Sequence, residues 1–165
     1  MMKRILLFVQ VFLVLSLSPA LAKDILRIGV TQYPSTLHPM IDSMLAKTYV
    51  NAMTQRPLTI HNPDWIPECM LCTELPTFEN GRAEHVTLED GTNTVKARYT
   101  IQENAKWGDG TPITSNDALF AWEVGKHPDT GVSNFELYGR DIIDIEKIDD
   151  KNFTITFDKE TCDFA

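Results

Sequence analysis

Basic residues are scarce in this chain: 15 Lys and Arg stand against 23 Asp and Glu in 165 residues, a formal charge of −8. No basic face for nucleic acid can be assembled from so few, and an acidic protein is repelled by anionic lipid surfaces. Cysteine is also sparse and odd in number. Cys69, Cys72 and Cys162 leave at least one thiol free or paired with another molecule. Cys69 and Cys72 have the spacing of a redox dithiol or of half a zinc site, but no second cysteine pair exists, and His61 and His85 do not complete a finger pattern. Pro67 and Pro76 on either side argue against the strand-to-helix junction of redox motifs, which favours buried cysteines or a local disulfide over metal or redox use. Internal repeats and low-complexity tracts are absent, and so is any recognisable Ser, His and Asp motif.

Long apolar runs are missing except at the start. Lys3 and Arg4 precede a nearly unbroken apolar run over residues 5–17, and Ala20-Leu21-Ala22 fits the small-x-small rule of signal peptidase. The run is too short for a permanent span. No Cys follows the expected cut, so no lipid anchor is expected, and residues 1–22 read as a signal peptide. Removing Lys3 and Arg4 takes the charge from −8 to −10, and residues 23–165 are enough for one domain with its own core.

From Lys23 the alternation of Leu26, Ile28 and Val30 predicts an opening strand to Thr31, followed by an irregular passage through Pro34 and Pro39. Asp42 or Ser43 is expected to cap a helix whose Leu45, Thr48, Tyr49, Ala52 and Met53 share one face and which ends before Pro57. Leu58-Thr59-Ile60 and Trp65-Ile66, around a turn at residues 61–64, read as a short hairpin. Asn80-Gly81 and Asp90-Gly91 signal tight turns, the second between arms at residues 86–88 and 95–101. Residues 143–148 and 153–157 form a last pair of strands around Asp149-Asp150-Lys151-Asn152, with Thr154 and Thr156 expected on a wet face.

The most informative stretch lies between these pairs. Tyr99 and Ile101 end a strand, Asp109-Gly110 makes a turn, and Thr114 or Ser115 opens a helix with Asp117 three residues beyond Thr114. Ala118, Leu119, Ala121 and Trp122 supply its apolar face, Pro128 stops it, and Trp107 is expected to anchor the core. The string Trp107-x-Asp109-Gly110-Thr111-Pro112-x-Thr114-x-x-Asp117-Ala118, led in by Lys106, resembles the signature of periplasmic oligopeptide- and dipeptide-binding proteins, the family 5 extracellular solute-binding proteins of ABC importers. The bland readings of turn, cap and core anchor make the motif a mark of fold and not of binding.

The resemblance implies a mixed α/β (α+β) fold: the amino-terminal part of the first lobe of a two-lobed, type II, peptide-binding-class protein, incomplete here because the family continues further. It implies a periplasmic, non-enzymatic protein that takes peptide or a related small solute and hands it to ABC permease subunits with their ATPase, without cofactor, metal or nucleic acid. Alignment on the motif puts the ligand contacts of this part at Ser43, Met44 and Leu45, and at Asn134 and Phe135. His38 stands where the family has an acid in a Leu-Asp-Pro-like stop, and is given no chemical role. As one wall of a cleft with an unpaired opening strand, such a chain is expected to bind peptide weakly and to self-associate. Two other classes compete with this reading. A secreted hydrolase would need Asp109 with Asp117, or His38 with Cys72, and a lectin-like domain would use Trp65, Trp107 and Trp122.

Expressed with its leader in a Gram-negative host, the protein is expected to yield a soluble periplasmic species that begins at Lys23. Mass spectrometry of the soluble fraction checks this, and an intact Met1 there overturns it.

Overall fold

The computed structural model describes residues 25–162 and 164. The expected signal peptide lies outside them. The chain divides into two units, ending at Thr31 and beginning at Gln32. In the first unit, residues 25–30 carry no ladder, and Ile25, Leu26, Ile28 and Val30 are exposed, so the expected opening strand is not formed. Alternation alone does not make a strand when no neighbour takes up its backbone groups.

The second unit is built on an antiparallel sheet. Strands β3 (Ala83–Thr87), β4 (Asn93–Thr100), β5 (Ile142–Lys147) and β6 (Asn152–Phe157) lie in the order β3-β4-β6-β5. Two local hairpins therefore meet along the β4–β6 seam, where Ala97 faces Ile155 and Tyr99 faces Phe153. Gly81 and Gly91 adopt positive φ at the two turns that the Asn-Gly and Asp-Gly pairs signal. Val95, Ala97, Tyr99, Phe153 and Phe157 fill one face, with the Tyr99 and Phe153 rings stacked 5.5 Å apart. Tyr99 donates to the Phe164 carbonyl, and burial pushes its phenol well above the usual range.

The other face of β6 is not wet. Thr154 and Thr156 are buried, which corrects the sequence expectation. Lys96 sits opposite Thr156 and Glu146 opposite Thr154, and the two side chains close over the central strand with Nζ–Oε2 at 2.9 Å. A strand paired on both edges is shielded by its neighbours' long side chains.

Helix α1 (Leu45–Thr54) and helix α2 (Ser115–Lys126) are positioned differently. Trp122 of α2 packs against the core with Ala118 and Leu119, while its Nε1 donates to the Tyr138 carbonyl at 2.9 Å. A single residue, Gly125, lets the Tyr138 ring lie on α2, for a Cβ there would meet the ring at 2.5 Å. Helix α1 starts later than expected and has no side-chain cap at Met44. Asp42 is turned into the left-handed region at φ 62, and its carboxylate is engaged by the Ser35 hydroxyl instead. The helix buries Ala46 and Lys47, so the stripe of Leu45, Tyr49 and Met53 is exposed.

Strands β1 (Thr59–His61) and β2 (Pro67–Cys69) form a separate hairpin. Its turn is longer than expected because Asn62 Oδ1 accepts the N–H groups of Asp64 and Ile66, both at 3.0 Å. Cys69 and Cys72 are joined in a disulfide, and Cys72 bridges to Ile101, tying the hairpin to the end of β4.

Thr154 Oγ1 is buried without a hydrogen-bond partner among the described residues. Thr154→Val keeps the branched shape and removes the unsatisfied hydroxyl, so stability should rise by about 1 kcal/mol. Urea unfolding should show a higher midpoint at unchanged slope. A fall would mean that the hydroxyl has a partner.

Candidate functional site

The motif loop is built by local hydrogen bonds. Trp107 N–H donates to the Thr111 carbonyl at 2.8 Å, Gly110 N–H to the Trp107 carbonyl at 2.9 Å, and Lys106 bridges to Pro112. Gly110 takes φ 89, which only glycine adopts freely. Asp109 Oδ1 accepts the Thr111 N–H at 2.8 Å, and that bond holds its carboxyl below the usual range. Asp117 Oδ2 accepts the Thr114 N–H at 2.7 Å and the Thr114 hydroxyl at 3.2 Å, closing the box at the start of α2. Both aspartates are thus occupied by their own backbone. The other imagined pair fares no better, since Cys72 is in the disulfide and His38 Nδ1 accepts the Met40 N–H at 3.2 Å. Among the described residues no cluster of three or more His, Cys, Asp or Glu is placed to hold a metal ion.

Trp107 is not a core anchor here. Its side chain is 52 % exposed. It flanks an open groove of about 900 Å³ between α1 and the core, with Lys47 and Asn51 of α1 on one side, Met70 and Leu71 on another, and Ile101 and Phe153 at its floor. The ring is held by its loop and not by burial.

The ligand contacts implied by the sequence are not among the residues that line that groove. Ile41 bridges to Val132 in antiparallel sense, and Ser133 N–H donates to the Met40 carbonyl at 2.9 Å. This pairing lays the segment leading into residues 43–45 beside the segment leading into residues 134–135. Because the two run in opposite directions, Ser43, Met44 and Leu45 leave at one end and Asn134 and Phe135 at the other. Ser43 and Leu45 are exposed, and Met44 is half-buried with its Sδ 3.5 Å from the Ser35 N and Oγ. Asn134 is exposed, and its carbonyl accepts the Tyr138 N–H at 3.4 Å. Phe135 is 43 % exposed, with its ring over Gly139, where a Cβ would come within 3.1 Å. Burial also raises the Tyr138 phenol.

One element escaped sequence reasoning. Lys47 is 5 % exposed. Its ammonium donates to the carbonyls of His38 (3.2 Å), Pro39 (3.3 Å), Ile41 (2.7 Å) and Asp42. Nothing in the spacing of α1 marks a lysine as inward-facing.

The profile described as bacterial extracellular solute-binding proteins, family 5 Middle, matches residues 77–165, more than half of the chain. The chain belongs to this family. Similar proteins include the oligopeptide-binding protein OppA of Bacillus subtilis (strain 168), 27 % identical over 106 residues, which are 64 % of this chain and 17 % of that protein. Among solved structures, an oligopeptide-binding protein from Thermus thermophilus complexed with pentapeptide superposes with TM-score 0.63 at 32 % identity, covering 71 % of this chain and 19 % of that one. Haemophilus influenzae OppA, with TM-score 0.60 at 15 % identity over 78 % of this chain and 26 % of that one, bears on the fold alone. The chain thus spans about a fifth of the length of these oligopeptide-binding proteins, and its mixed helix-and-sheet architecture matches part of the two solved structures.

Trp107→Ala is expected to cost about 1–2 kcal/mol, short of the ~3–5 kcal/mol of a fully buried ring. Asp117→Ala should cost about 1 kcal/mol through the lost cap. Denaturant melts of both variants check the pair, and a Trp107→Ala loss near the upper figure would restore the core-anchor reading.

Proposed function

We propose that this chain forms part of the ligand-binding wall of a periplasmic solute-binding protein, which captures peptides or related small solutes and delivers them to the permease and ATPase subunits of an ABC importer. The observation that carries the reading is the Ile41–Val132 bridge, which joins the two sequence-distant segments that lead to the implied contacts. Leu45 and Phe135 offer exposed apolar surface for permissive side-chain contacts, and Ser43 and Asn134 beside them are exposed as well. Binding of this kind needs geometry and no covalent step. The use of Asp109 and Asp117 in turn and cap favours such a role over hydrolysis.

Export to the periplasm belongs to the same proposal. The leader-like pattern over residues 1–22 and the acidic remainder suit an exported binding protein, and the local disulfide suits an oxidising compartment. The bound solute would be enclosed by hinge closure against a second lobe.

The test is an amide NMR titration of the chain with a short peptide, which registers weak binding as well as tight. Saturable shifts are expected at residues 43–45 and 134–135, and Phe135→Ala should reduce them. Shifts confined to the groove beside Trp107 and Met70, or none at millimolar peptide, would overturn the assignment.

A further inference from the structure

Four backbone carbonyls turned toward one point are an unusual partner set for a lysine. Lys47 reaches the oxygens of His38, Pro39, Ile41 and Asp42, and none of its hydrogen-bond partners among the described residues is a carboxylate. A buried ammonium usually requires an opposite charge or a full set of acceptors to offset its lost hydration. Here the acceptors are all backbone dipoles, drawn from four residues of one loop. The loop has the shape for this because Asp42 is in the left-handed region, which folds its carbonyl back toward α1. Further bonds within the loop hold that curl: His38 N–H to Thr36 Oγ1 at 3.0 Å, and Ser35 Oγ–H to the Asp42 carboxylate.

The same loop carries Met40 and Ile41, which pair with Ser133 and Val132, and it runs directly into Ser43. We propose that the carbonyls of His38, Pro39, Ile41 and Asp42 form a monovalent-cation site permanently filled by the tethered ammonium of Lys47, and that this occupancy fixes the segment at residues 43–45. Lys47 is then a positioning residue. It touches no ligand, but it sets the distance between the loop and α1 and, through the Ile41–Val132 bridge, the path toward Phe135. Lysine suits the role because its ammonium is a compact point charge, whose attraction to carbonyl oxygens does not depend on a fixed planar fork. The consequence for ligand affinity rests on the proposed role of residues 43–45. The cation site itself does not.

The experiment therefore leaves peptide out. In Lys47→Ala, hydrogen exchange should be about tenfold faster over residues 38–45 and 132–134, in line with the loss of charge-assisted hydrogen bonds, while β4 and β6 keep their protection. Ammonium chloride should restore the slow exchange, because the free ion can enter the space left by the side chain. Tetramethylammonium chloride at the same ionic strength, being too large for the cage, should not. Lys47→Met fills that space with an uncharged chain and should be loosened but not rescued by ammonium. An exchange rate unchanged at residues 38–45, an equal increase throughout the sheet, or the same response to both salts would overturn the proposal. If Lys47→Ala does not fold in plain buffer, recovery in ammonium and not in tetramethylammonium supports the site, and failure in both overturns it. Absence of peptide shifts in the NMR titration of the unaltered chain, with an intact ammonium response in Lys47→Ala, would reject the ligand reading alone.

Discussion

Strand β6 is paired along both edges, and most of the second unit hangs on that double pairing. β4 on one side and β5 on the other take up its backbone groups, so its side chains are covered on both faces. Phe153 and Phe157 close the apolar face, and Thr154 and Thr156 lie beneath the Lys96–Glu146 pair on the other. The turn that enters this strand is also the floor for α2. Ser115 N–H donates to the Asp150 carbonyl at 2.9 Å, the Ser115 hydroxyl to the Asp149 carbonyl, and Lys151 Nζ to the Ile113 carbonyl at 2.8 Å. The helix in which the family motif ends is thereby referenced to the sheet by main-chain oxygens, which any residue supplies.

The motif residues answer a geometric demand of this arrangement. Ala105 is buried, and its carbonyl accepts the Ile113 N–H at 3.0 Å, so the loop between them must close in a fixed number of residues. Asp109, Gly110, Thr114 and Asp117 meet that geometric demand. The segments bearing the implied ligand contacts are held separately, by the Ile41–Val132 bridge, the Ser133–Met40 hydrogen bond and the bonds of Lys47 and Ser35.

What could be read from the sequence was local. Turns at Gly81, Gly91 and Gly110, the Asp117 cap, the halt of α2 before Pro128 and the two hairpins of the sheet each depend on residues within a few positions of one another. The readings that went astray depended on what lies across the fold. The capping of α1 at Asp42 or Ser43 is displaced to Met44, because Asp42 lies in the left-handed region with its carboxylate engaged by the Ser35 hydroxyl. Thr154 and Thr156 look wet until Lys96 and Glu146 are seen to meet above them. Trp107 has the size of a core residue, but its loop holds it at the rim of a groove. The cysteine pair allowed several chemistries by spacing alone, and pairing with Ile101 shows a structural use.

The order β3-β4-β6-β5 also bears on how the unit assembles. Each hairpin joins neighbours in sequence and can close on the microsecond scale. The β4–β6 seam joins Lys96 to Thr156 and Thr100 to Asn152, and between them lie the motif loop, α2 and the paired segment at residues 132–133. Closing that long intervening chain carries an entropic cost that neither hairpin meets alone. The seam is thus the non-local step, and the chain through α2 must be brought into register before the sheet gains its central strand.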